Sequence, residues 1–475
     1  MSRLNRRSFI GRSLRAGAAL GAASALPDLA SARAAGANDR LRVALLGVKG
    51  QGRVHAGKWS DMKDAEVAVV CDADSNIIGD AMSVVEKKTG HKPVFVQDLR
   101  KVMEDQSIDA VSIAMPNHWH VLASIWAIQS GKDVYVEKPL GHNVWEQRKL
   151  VDASRKHDKI VQMGNYPRSL QSHRTAIDYL RSGKLGKVKV AHGICYGNRS
   201  SIRKLPDAPV PAGVDYNLWQ GPAAEHPFNP NRFHYNWHWN FEYGGGEIAN
   251  NGVYYLDIAR WGLGKTEHPK RAMSLGGRLG YEDDGNTPNT QIGVIDYGDV
   301  QIIQEIRGLP SDKYMNVASG NVFHCEDGYM VIGGATIAAF SPKGEVLQKF
   351  SGSGEHFRNF ADAVKARNRG LLNSEVLEGH LSTVLCHLPN VSHRLGETKL
   401  VSGDAPFERS DGGNDAWSRM AAHLKEDGID PAKAPLRVGR TLNFDGKTET
   451  VPGDEEANKL LARDYRKPFA VPDTL

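Results

Sequence analysis

Residues 41–52 set the architecture of this chain; they read Leu41-Arg42-Val43-Ala44-Leu45-Leu46-Gly47-Val48-Lys49-Gly50-Gln51-Gly52. The first six form a nearly continuous apolar run, of the kind buried in a parallel sheet. The glycines follow at once and lead into a helix-like stretch. In dinucleotide-binding folds such glycines let the backbone turn tightly and approach a pyrophosphate, which lies on the exposed amides of the helix N-terminus. The middle glycine of the G-x-G-x-x-G pattern is Lys49 here, with Gly50 beside it, so the motif needs support from its context.

A second buried strand, residues 66–71, supplies that context. Asp72 follows it directly, 20 residues after Gly52. A carboxylate at this position can accept both ribose hydroxyls of NAD and would repel the 2′-phosphate of NADP. We therefore predict NAD rather than NADP as the cofactor, the alternative being a loop carboxylate without a ligand.

Helices and strands then alternate up to residue 165. The pattern predicts a helix over 75–89 closed by Gly90, a strand over 109–114, a helix ending at Gly131 and a strand over 133–136. Such alternation predicts an α/β domain with a doubly wound parallel sheet, which we place at 39–165. Ligands of such sheets gather beyond the carboxyl ends of the strands, where Pro116-Asn117-His118-Trp119-His120 and Glu137-Lys138-Pro139 lie.

The net charge of the chain is concentrated at its amino terminus. Residues 1–34 hold six arginines and one aspartate and so carry the whole formal charge of +5. The neutral remainder argues against nucleic acid as a partner, because nucleic-acid binding needs a concentrated basic surface. Four cysteines without a C-x-x-C pair exclude a disulfide scaffold and a thiolate zinc ribbon.

Residues 1–34 have the pattern of a twin-arginine signal peptide. Arg6 and Arg7 precede an apolar residue pair, and a run of small apolar residues at 16–26 ends near Ala34. This run has about 11 residues, fewer than the roughly 20 of a membrane-spanning helix, and no later segment is apolar for as long. We predict export to the periplasm by the twin-arginine machinery and no membrane span. Because that route carries folded proteins, it favours a cofactor bound before export.

The remainder, 166–475, is predicted to form a second domain. After a helix over 172–182, alternating stretches at 187–193, 290–297 and 300–307 predict strands. An aromatic segment follows the first of them and reads His234-Tyr235-Asn236-Trp237-His238-Trp239. Rings and hydrogen-bonding groups together suit a sugar. For the tryptophans, a buried aromatic patch is an equally good interpretation.

Residues 247–263 are predicted to form one helix. Asn250, Tyr254, Asp257 and Trp261 recur at i, i+4, i+7 and i+11, which places them on one helix face.

Taken in order, these motifs resemble the Gfo/Idh/MocA oxidoreductases, which include glucose-fructose oxidoreductase and inositol dehydrogenases. The resemblance is carried by 47–52 with His55, by Pro116-Asn117 with His120, and by 137–139, 161–165 and 244–261. It implies a Rossmann-type first domain and a C-terminal α+β domain. The latter has a large, mostly antiparallel open sheet that covers the nicotinamide and builds a homo-oligomer, here a dimer or tetramer.

The resemblance also implies roles for individual residues. The cofactor would be held by Gly47, Lys49, Gly50, Gln51, Gly52, Asp72, Pro116, Asn117, His120, Glu137, Lys138 and Asn165. The substrate would be bound by Arg168, His234, Trp237, His238, Asn250 and Tyr254. The catalytic residues would be Lys138, Tyr254 and His238.

The base is the open point of this assignment. In the dehydrogenases of the family an aspartate and a histidine stand at the positions of Asn250 and Tyr254, although glucose-fructose oxidoreductase also has a tyrosine at the second. Tyr254 serves as a base if the Lys138 ammonium lowers the pKa of its phenol. His238 and His234 are the alternative bases. Tyr254 would then be a tyrosine of the core with a purely structural role.

A metal site is not expected. The pairs His118/His120 and His234/His238 have usable spacings, but there is no H-E-x-x-H motif and no nearby carboxylate or cysteine completes a familiar ligand set.

The sequence thus predicts an exported, NAD-containing oxidoreductase that acts on a carbohydrate or polyol. The periplasm offers no recognised pool of free NAD, so the cofactor is expected to stay bound and to be recycled, either by a second sugar or within one turnover. Two alternatives stay open. One is an NAD-dependent glycoside hydrolase of the α-N-acetylgalactosaminidase type, and the other is a non-catalytic, cofactor-bearing sugar-binding protein.

Overall fold

The computed structural model describes residues 40–334, 336–401 and 406–475. The predicted signal peptide lies outside these residues. Within them, no helix is both long enough and apolar enough to cross a bilayer. The chain from Arg40 onward forms one compact unit built on two sheets.

The first sheet has six parallel strands in the order β3-β2-β1-β4-β5-β6. The strands are β1 (Leu41–Leu46), β2 (Ala65–Cys71), β3 (Val94–Val96), β4 (Ala110–Ile113), β5 (Asp133–Val136) and β6 (Val161–Met163). Its helices are α1 (Gln51–Ser60), α2 (Ile78–Thr89), α3 (Leu99–Glu104), α4 (Asn117–Gln129) and α5 (Val144–Lys156). This is the strand order of the doubly wound dinucleotide-binding fold, and it confirms the predicted parallel sheet.

The second sheet has eleven strands in the order β14-β13-β12-β11-β7-β10-β9-β8-β16-β15, with β17 beside β8. They are β7 (Val188–Tyr196), β8 (Arg271–Gly277), β9 (Thr290–Asp296), β10 (Gln301–Arg307), β11 (Ser319–Cys325), β12 (Tyr329–Gly333), β13 (Thr336–Phe340), β14 (Val346–Lys349), β15 (Glu397–Lys399), β16 (Leu436–Val438) and β17 (Leu442–Asn443). Its pairs are antiparallel except for β7 with β10. The predicted large, mostly antiparallel sheet is confirmed.

The helices of this half are α6 (Gln171–Arg181), α7 (Tyr216–Gln220), α8 (Gly246–Asn250), α9 (Gly252–Gly262), α10 (His356–Ala366), α11 (Val376–Arg394), α12 (Asp411–Glu426) and α13 (Glu455–Leu460). The prediction of one helix over 247–263 is wrong, because the helix is interrupted at Asn251. Asn251 and Gly252 are both poor helix formers. The Asn251 amide binds the Glu247 carboxylate across the break (2.5 Å).

Segments from the second half complete the core of the first. The ring of Phe357, in α10, stacks on that of Tyr135 in β5 with centroids 4.4 Å apart. On α4, the Trp119 ring meets Phe469 edge-on, with centroids 5.6 Å apart. Buried aromatic contacts of this kind stabilise the packing of the two halves against each other.

Residues 205–243, which we call the strap, run between β7 and α8 and carry a small core of their own. The buried residues of that core are Tyr216, Trp219, Ala223, Phe228, Phe233, Trp237 and Tyr243. Trp237 therefore belongs to a buried aromatic patch, which was one of the two interpretations of this segment.

Candidate active site

A cleft of about 900 Å³ lies at the carboxyl edge of the first sheet, between the strap and helices α8 and α9. Its volume is in the range of sites that enclose small ligands. Most of the predicted site residues line it: Gly47, Lys49, Gly50, Gln51, Asp72, Pro116, Asn117, His120, Glu137, Lys138, His234, Trp237, His238, Asn250 and Tyr254. Gly52, Asn165 and Arg168 are not part of this lining.

The glycine turn forms one end of the cleft. Gly47 has φ +80°, and a Cβ there would lie 2.8 Å from the backbone of Ala114 in the turn after β4. A Cβ on Gly52 would lie 2.0 Å from the carbonyl oxygen of Gly47. Because Gly52 has no side chain, the first turn of α1 can pack closely against the glycine turn. These are the requirements that a pyrophosphate-binding turn places on its glycines.

Asp72 braces this turn from the end of β2. Its carboxylate accepts hydrogen bonds from the amides of Val48 (2.9 Å) and Asp74 (3.0 Å). Burial raises the pKa of Asp72 to about 6, although these two hydrogen bonds act to lower it. The carboxylate thus lines the cleft and stabilises the turn.

Glu137 lies at the centre of the cleft floor and is held by the first helix. Its Oε1 accepts from Gln51 Nε2 (3.0 Å) and lies 3.1 Å from His55 Nε2. The Ser112 hydroxyl lies 2.9 Å from His55 Nδ1 and accepts from Trp59 Nε1 (2.9 Å). Burial acts to raise the pKa of Glu137, but the His55 hydrogen bond and nearby positive charge lower it overall. Glu137 is therefore a fixed negative charge.

The residues 116–120 build the wall of the cleft. Both ring nitrogens of His120 lie 2.7 Å from carbonyl oxygens, those of Pro139 and Met115, so this side chain joins the loops after β4 and β5. His118 Nε2 lies 2.9 Å from the carbonyl oxygen of Trp219 in the strap. The imidazole of His120 is engaged with the scaffold even though its residue lines the cleft.

Lys138 lies at the other end, where the loop after β5 meets α8. Its ammonium donates to the backbone carbonyl of Asn250 (2.9 Å) and lies 3.4 Å from the Asn250 Oδ1. Burial lowers the pKa of Lys138, while the negative charges of Glu137 and Glu247 act against that shift.

Tyr254 requires a correction of the predicted proton chemistry. Lys138 Nζ lies over the face of the Tyr254 ring, 4.9 Å from its centroid. Burial, followed by the negative charge of Glu137, raises the pKa of Tyr254 well above its ordinary value. The expected lowering by Lys138 is therefore wrong, because desolvation and Glu137 outweigh the ammonium. Tyr254 stays a neutral phenol.

His238 presents an available base to the cleft. Its Nδ1 lies 2.6 Å from the carbonyl oxygen of Tyr235, which requires a hydrogen on Nδ1 and leaves Nε2 unprotonated in the neutral ring. Burial lowers the pKa of His238 to about 3. Among the described residues, Nε2 has no hydrogen-bond partner.

His234 lies at the Asp72 end of the cleft. Its Nε2 is 3.0 Å from the carboxylate of Asp74, two residues beyond Asp72. This placement corresponds to the cofactor end of the cleft and differs from its predicted position beside the substrate.

Arg168 is buried in an ion-pair network instead of facing the cleft. Its guanidinium binds Asp257 through two nitrogens (2.8–3.0 Å) and Glu378 (3.0 Å), and it lies 5.3 Å from the Trp261 ring centroid. The predicted helix face thus divides, since Asn250 and Tyr254 line the cleft whereas Asp257 and Trp261 contact Arg168. The arrangement satisfies Arg168 internally and gives it a structural role.

Asn165 is buried behind the cleft floor. It is 1% exposed, and neither atom of its side-chain amide has a hydrogen-bond partner within the described chain. The preceding Gly164 packs so closely on Glu137 that a Cβ would lie 2.9 Å from that carboxyl group.

Some contributors to the site were missed by sequence reasoning. Asp74 contacts His234, and Glu247 contacts Asn250. Only their short spacing from Asp72 and from Asn250 could have drawn attention to them. Trp219 also lines the cleft. It belongs to the strap, whose course over the cleft no local motif indicates.

One group outside the cleft combines metal-ligating side chains. His268 and His380 place Nε2 atoms 2.9 and 2.8 Å from the same Glu449 oxygen. Arg148 binds this carboxylate too, with Nη2 2.5 Å from the same oxygen. These distances are those of hydrogen bonds, and the guanidinium already neutralises the carboxylate, so the group is a hydrogen-bonded ion pair.

Comparison with known proteins agrees with this geometry. Residues 41–165 match a model described as an oxidoreductase family with an NAD-binding Rossmann fold, and residues 194–415 match the C-terminal α/β domain of the same family. Among solved structures, the WlbA dehydrogenase of Bordetella pertussis, in complex with NADH and UDP-GlcNAcA, has a TM-score of 0.56 at 18% identity, covering 75% of this chain and 97% of its own. The myo-inositol 2-dehydrogenase of Lactobacillus plantarum has a TM-score of 0.53 at 18% identity, and the match covers 73% of this chain and 95% of the dehydrogenase.

Curated relatives match over a shorter region. Glycosyl hydrolase family 109 protein 1 of Akkermansia muciniphila is 29% identical over 174 residues, 35% of this chain and 34% of that protein. A glycosyl hydrolase family 109 protein of Shewanella putrefaciens is 27% identical over 154 residues, which are 32% of this chain and 34% of that protein. The matched region spans about a third of the length of these relatives.

Proposed function

The chain belongs to the Gfo/Idh/MocA family of oxidoreductases, and from this we propose that it is an NAD-dependent oxidoreductase that acts on a sugar or polyol. One observation carries the proposal: Lys138 Nζ, beside Asn250 and Tyr254, lies in the same cleft as the glycine turn. A hydroxyl bound at Lys138 would therefore lie at the end of the site that faces away from the ribose-binding carboxylate.

The residues of the first domain fit NAD. The glycine turn at 47–52 has the open backbone that a pyrophosphate needs, and Asp72 would bind the ribose hydroxyls. Asp74 adds a second carboxylate beside it, which disfavours a 2′-phosphate. NAD supplies the hydride acceptor and donor when bound. Glu137 and Lys138 would orient the nicotinamide side and the substrate.

Proton transfer is divided between three side chains. Lys138 binds the reacting oxygen and stabilises negative charge on it. His238 Nε2 is the nitrogen available to take up the hydroxyl proton, because it is unprotonated and has no partner among the described residues. A ring with a pKa of about 3 is a weak base, so this transfer depends on Lys138 stabilising the negative charge that develops on the oxygen. Tyr254 donates a hydrogen bond from its neutral phenol.

The strap supports a cofactor that stays bound. Hydrogen bonds tie it to the first domain at several points. Gly213 O accepts from the amide of Ser75 (3.0 Å), Leu218 O accepts from Trp119 Nε1 (2.9 Å), and Phe241 O lies 2.9 Å from His142 Nε2. A dinucleotide beneath this cover could leave only after several such contacts break. Retention fits the proposed export to the periplasm through the twin-arginine signal at 1–34.

A homo-oligomer belongs to the same proposal. The family resemblance suggests a dimer or tetramer built on the second sheet.

A second candidate function is glycoside hydrolysis by transient oxidation. The names of the curated relatives favour it, as does the coexistence of a base, His238, and a neutral acid, Tyr254, in one cleft. Elimination of an aglycone requires removal of a carbon-bound proton and protonation of the leaving oxygen. His238 and Tyr254, which both line the cleft, are the groups we assign to these two steps.

Incubation of the purified protein with a panel of sugars and glycosides separates these activities. Reduction of one sugar coupled to oxidation of another supports the oxidoreductase. Release of the aglycone supports the hydrolase. Binding without turnover of any compound would contradict both and indicate a sugar-binding protein. Mass spectrometry of the small molecule released on denaturation identifies the retained cofactor.

A further inference from the structure

The Asn250 amide faces Lys138 with one particular side. The ammonium donates to the backbone carbonyl of Asn250 and lies 3.4 Å from its Oδ1. An amide turned by 180° would present its NH2 group to the ammonium, and two donors would then oppose each other. Something must therefore hold the oxygen toward Lys138.

Glu247, one turn earlier in α8, is placed to do so. Its Oε2 lies 3.4 Å from the Nδ2 of Asn250, and its Oε1 accepts from the Nδ2 of Asn251 (2.5 Å). A carboxylate accepts hydrogen bonds and donates none when ionised, so it selects the amide orientation in which nitrogen faces Glu247 and oxygen faces Lys138. Carboxylate, amide and ammonium form one polarised chain.

Glu247 is itself rigidly held. It is 2% exposed, and both of its oxygens bind Arg199, at 3.1 Å from Nε and 3.0 Å from Nη2. The thiol of Cys195 lies 3.6 Å from Oε1. A buried carboxylate that binds an arginine through both oxygens is held in place, which is what the orientation of a neighbouring amide requires.

We infer that Glu247 is the positioning residue of this site, which acts through the Asn250 amide to keep an acceptor oxygen and a compensating negative charge beside the Lys138 ammonium. The inference rests on the proposed function only in taking Lys138 as the group that meets the substrate. A simpler role for Glu247 is to anchor α8 to Arg199. Because the charge of Glu247 also acts on Lys138 directly, the two roles are separated by Asn250, whose side-chain amide the relay needs and the Glu247–Arg199 anchor does not.

The test is a direct titration of Lys138 by NMR. The purified protein, with its bound dinucleotide, carries lysine labelled with carbon-13 at Cε, and the Lys138 signal is assigned by its loss in Lys138→Met. Glu247→Gln should lower the pH midpoint of this signal by about one unit, because a stabilising negative charge is lost. Asn250→Asp should raise the midpoint, and the double variant should return it toward the wild-type value. Glu242→Gln, which removes a carboxylate bound to Arg463, should leave it unchanged.

A folded Glu247→Gln protein with the wild-type midpoint would overturn the inference. If Glu247→Gln does not fold, Asn250→Ala keeps the Glu247–Arg199 pair and should still lower the midpoint, whereas an unchanged midpoint would refute the relay. The titration needs no turnover. A protein inactive toward every sugar and glycoside would therefore refute the proposed function alone. An active enzyme in which neither Glu247→Gln nor Asn250→Ala shifts the pH midpoint of Lys138 would refute this inference alone.

Discussion

Lys138 meets Tyr254 on the face of its ring, with Nζ 4.9 Å from the centroid. A cation over an aromatic face is attracted by the ring quadrupole, and this contact does not place the charge beside the hydroxyl oxygen. The phenol therefore gains little help in losing its proton, and burial beside Glu137 raises its pKa instead. We therefore assign proton uptake to His238, whose Nε2 is unprotonated and has no partner among the described residues.

The first prediction is that His238→Gln slows hydride transfer while the protein keeps its dinucleotide. General bases contribute about a hundredfold to ten-thousandfold, and a loss in that range is expected. Because burial lowers the pKa of His238 to about 3, the ring is neutral above about pH 4. The wild-type rate should therefore show no acid limb from His238 between pH 5 and 8. Single-turnover reduction of the bound cofactor, followed across pH, measures the loss of rate in His238→Gln and the pH dependence of the wild-type rate.

Tyr254→Phe is the matched comparison, since it removes a hydrogen-bond donor without removing the base. The rate of hydride transfer should fall less in Tyr254→Phe than in His238→Gln. Full-rate transfer in His238→Gln would refute the assignment of the base, and a greater loss in Tyr254→Phe would return that role to the tyrosine.

Most of the site residues predicted from the sequence do line the cleft, because the signals that indicated them are local. The apolar run and glycines at 41–52 and the carboxylate at Asp72 each reflect a requirement of one turn or one strand end. The positions of Lys138, Asn250 and Tyr254 followed from the family resemblance, and the structure brings all three together.

Other features depended on contacts far apart in the chain. Arg168 forms ion pairs with Asp257 and Glu378, which lie 89 and about 210 residues later in the chain. No local sequence pattern predicts these partners. The rise of the Tyr254 pKa depends on burial and on Glu137, which only the folded arrangement combines. The sequence therefore indicated which groups meet more reliably than it indicated their protonation.

The second prediction concerns cofactor choice. Asp72→Ser should narrow the preference for NAD over NADP by at least about tenfold, because a 2′-phosphate would no longer face that carboxylate. The change should also weaken NAD binding, since the carboxylate braces the amides of Val48 and Asp74. Titration calorimetry on protein freed of its dinucleotide measures both affinities. Asp61→Ser, at the exposed end of α1, is the control for loss of one charge, and an equal change in both variants would contradict the role of Asp72.

The third prediction is a loss of stability in mild acid. Burial lowers the pKa of several histidines to about 4, among them His356, His380, His387 and His393. Below the unfolded value of about 6.5 the unfolded chain takes up protons that the native protein does not, so stability falls as the pH drops from about 6.5 to 4. The raised pKa values of the carboxyl groups of Asp72, Asp133 and Glu146 act in the opposite direction, but the histidines with a lowered pKa are more numerous.

Urea unfolding at pH 7 and pH 5 tests this expectation. The free energy of unfolding should fall by at least ~2 kcal/mol, the effect of one such histidine. His387→Gln should reduce the fall, whereas His91→Gln, at an exposed position, should not. Equal stability at the two pH values would show that these rings are not buried in the neutral form.

The fourth prediction addresses export. Replacing Arg6 and Arg7 together by lysine should leave precursor in the cytoplasm, because the arginine pair is the part of the signal that the twin-arginine machinery recognises. Fractionation and immunoblotting measure the distribution. A matched exchange of Arg12 and Arg15 for lysine keeps the charge and should leave export unchanged. Normal export of the first variant would remove the twin-arginine proposal.

The last prediction concerns the pair formed by His234 and Asp74, which joins the strap to the end of β2 (3.0 Å). His234→Ala removes the strap's side of this contact and should raise the rate at which bound dinucleotide exchanges with isotopically labelled NAD. A buried hydrogen bond to a charged group contributes about 1.5–3 kcal/mol, so acceleration of about tenfold or more is expected. His226→Ala is the control, because His226 lies on the strap and its ring faces Tyr243 instead of Asp74. Mass spectrometry of the retained nucleotide over time gives the rate without any need for a substrate. Equal rates in the two variants would show that the contact between His234 and Asp74 does not govern release of the dinucleotide. Exchange within seconds in the wild-type protein would contradict a resident cofactor.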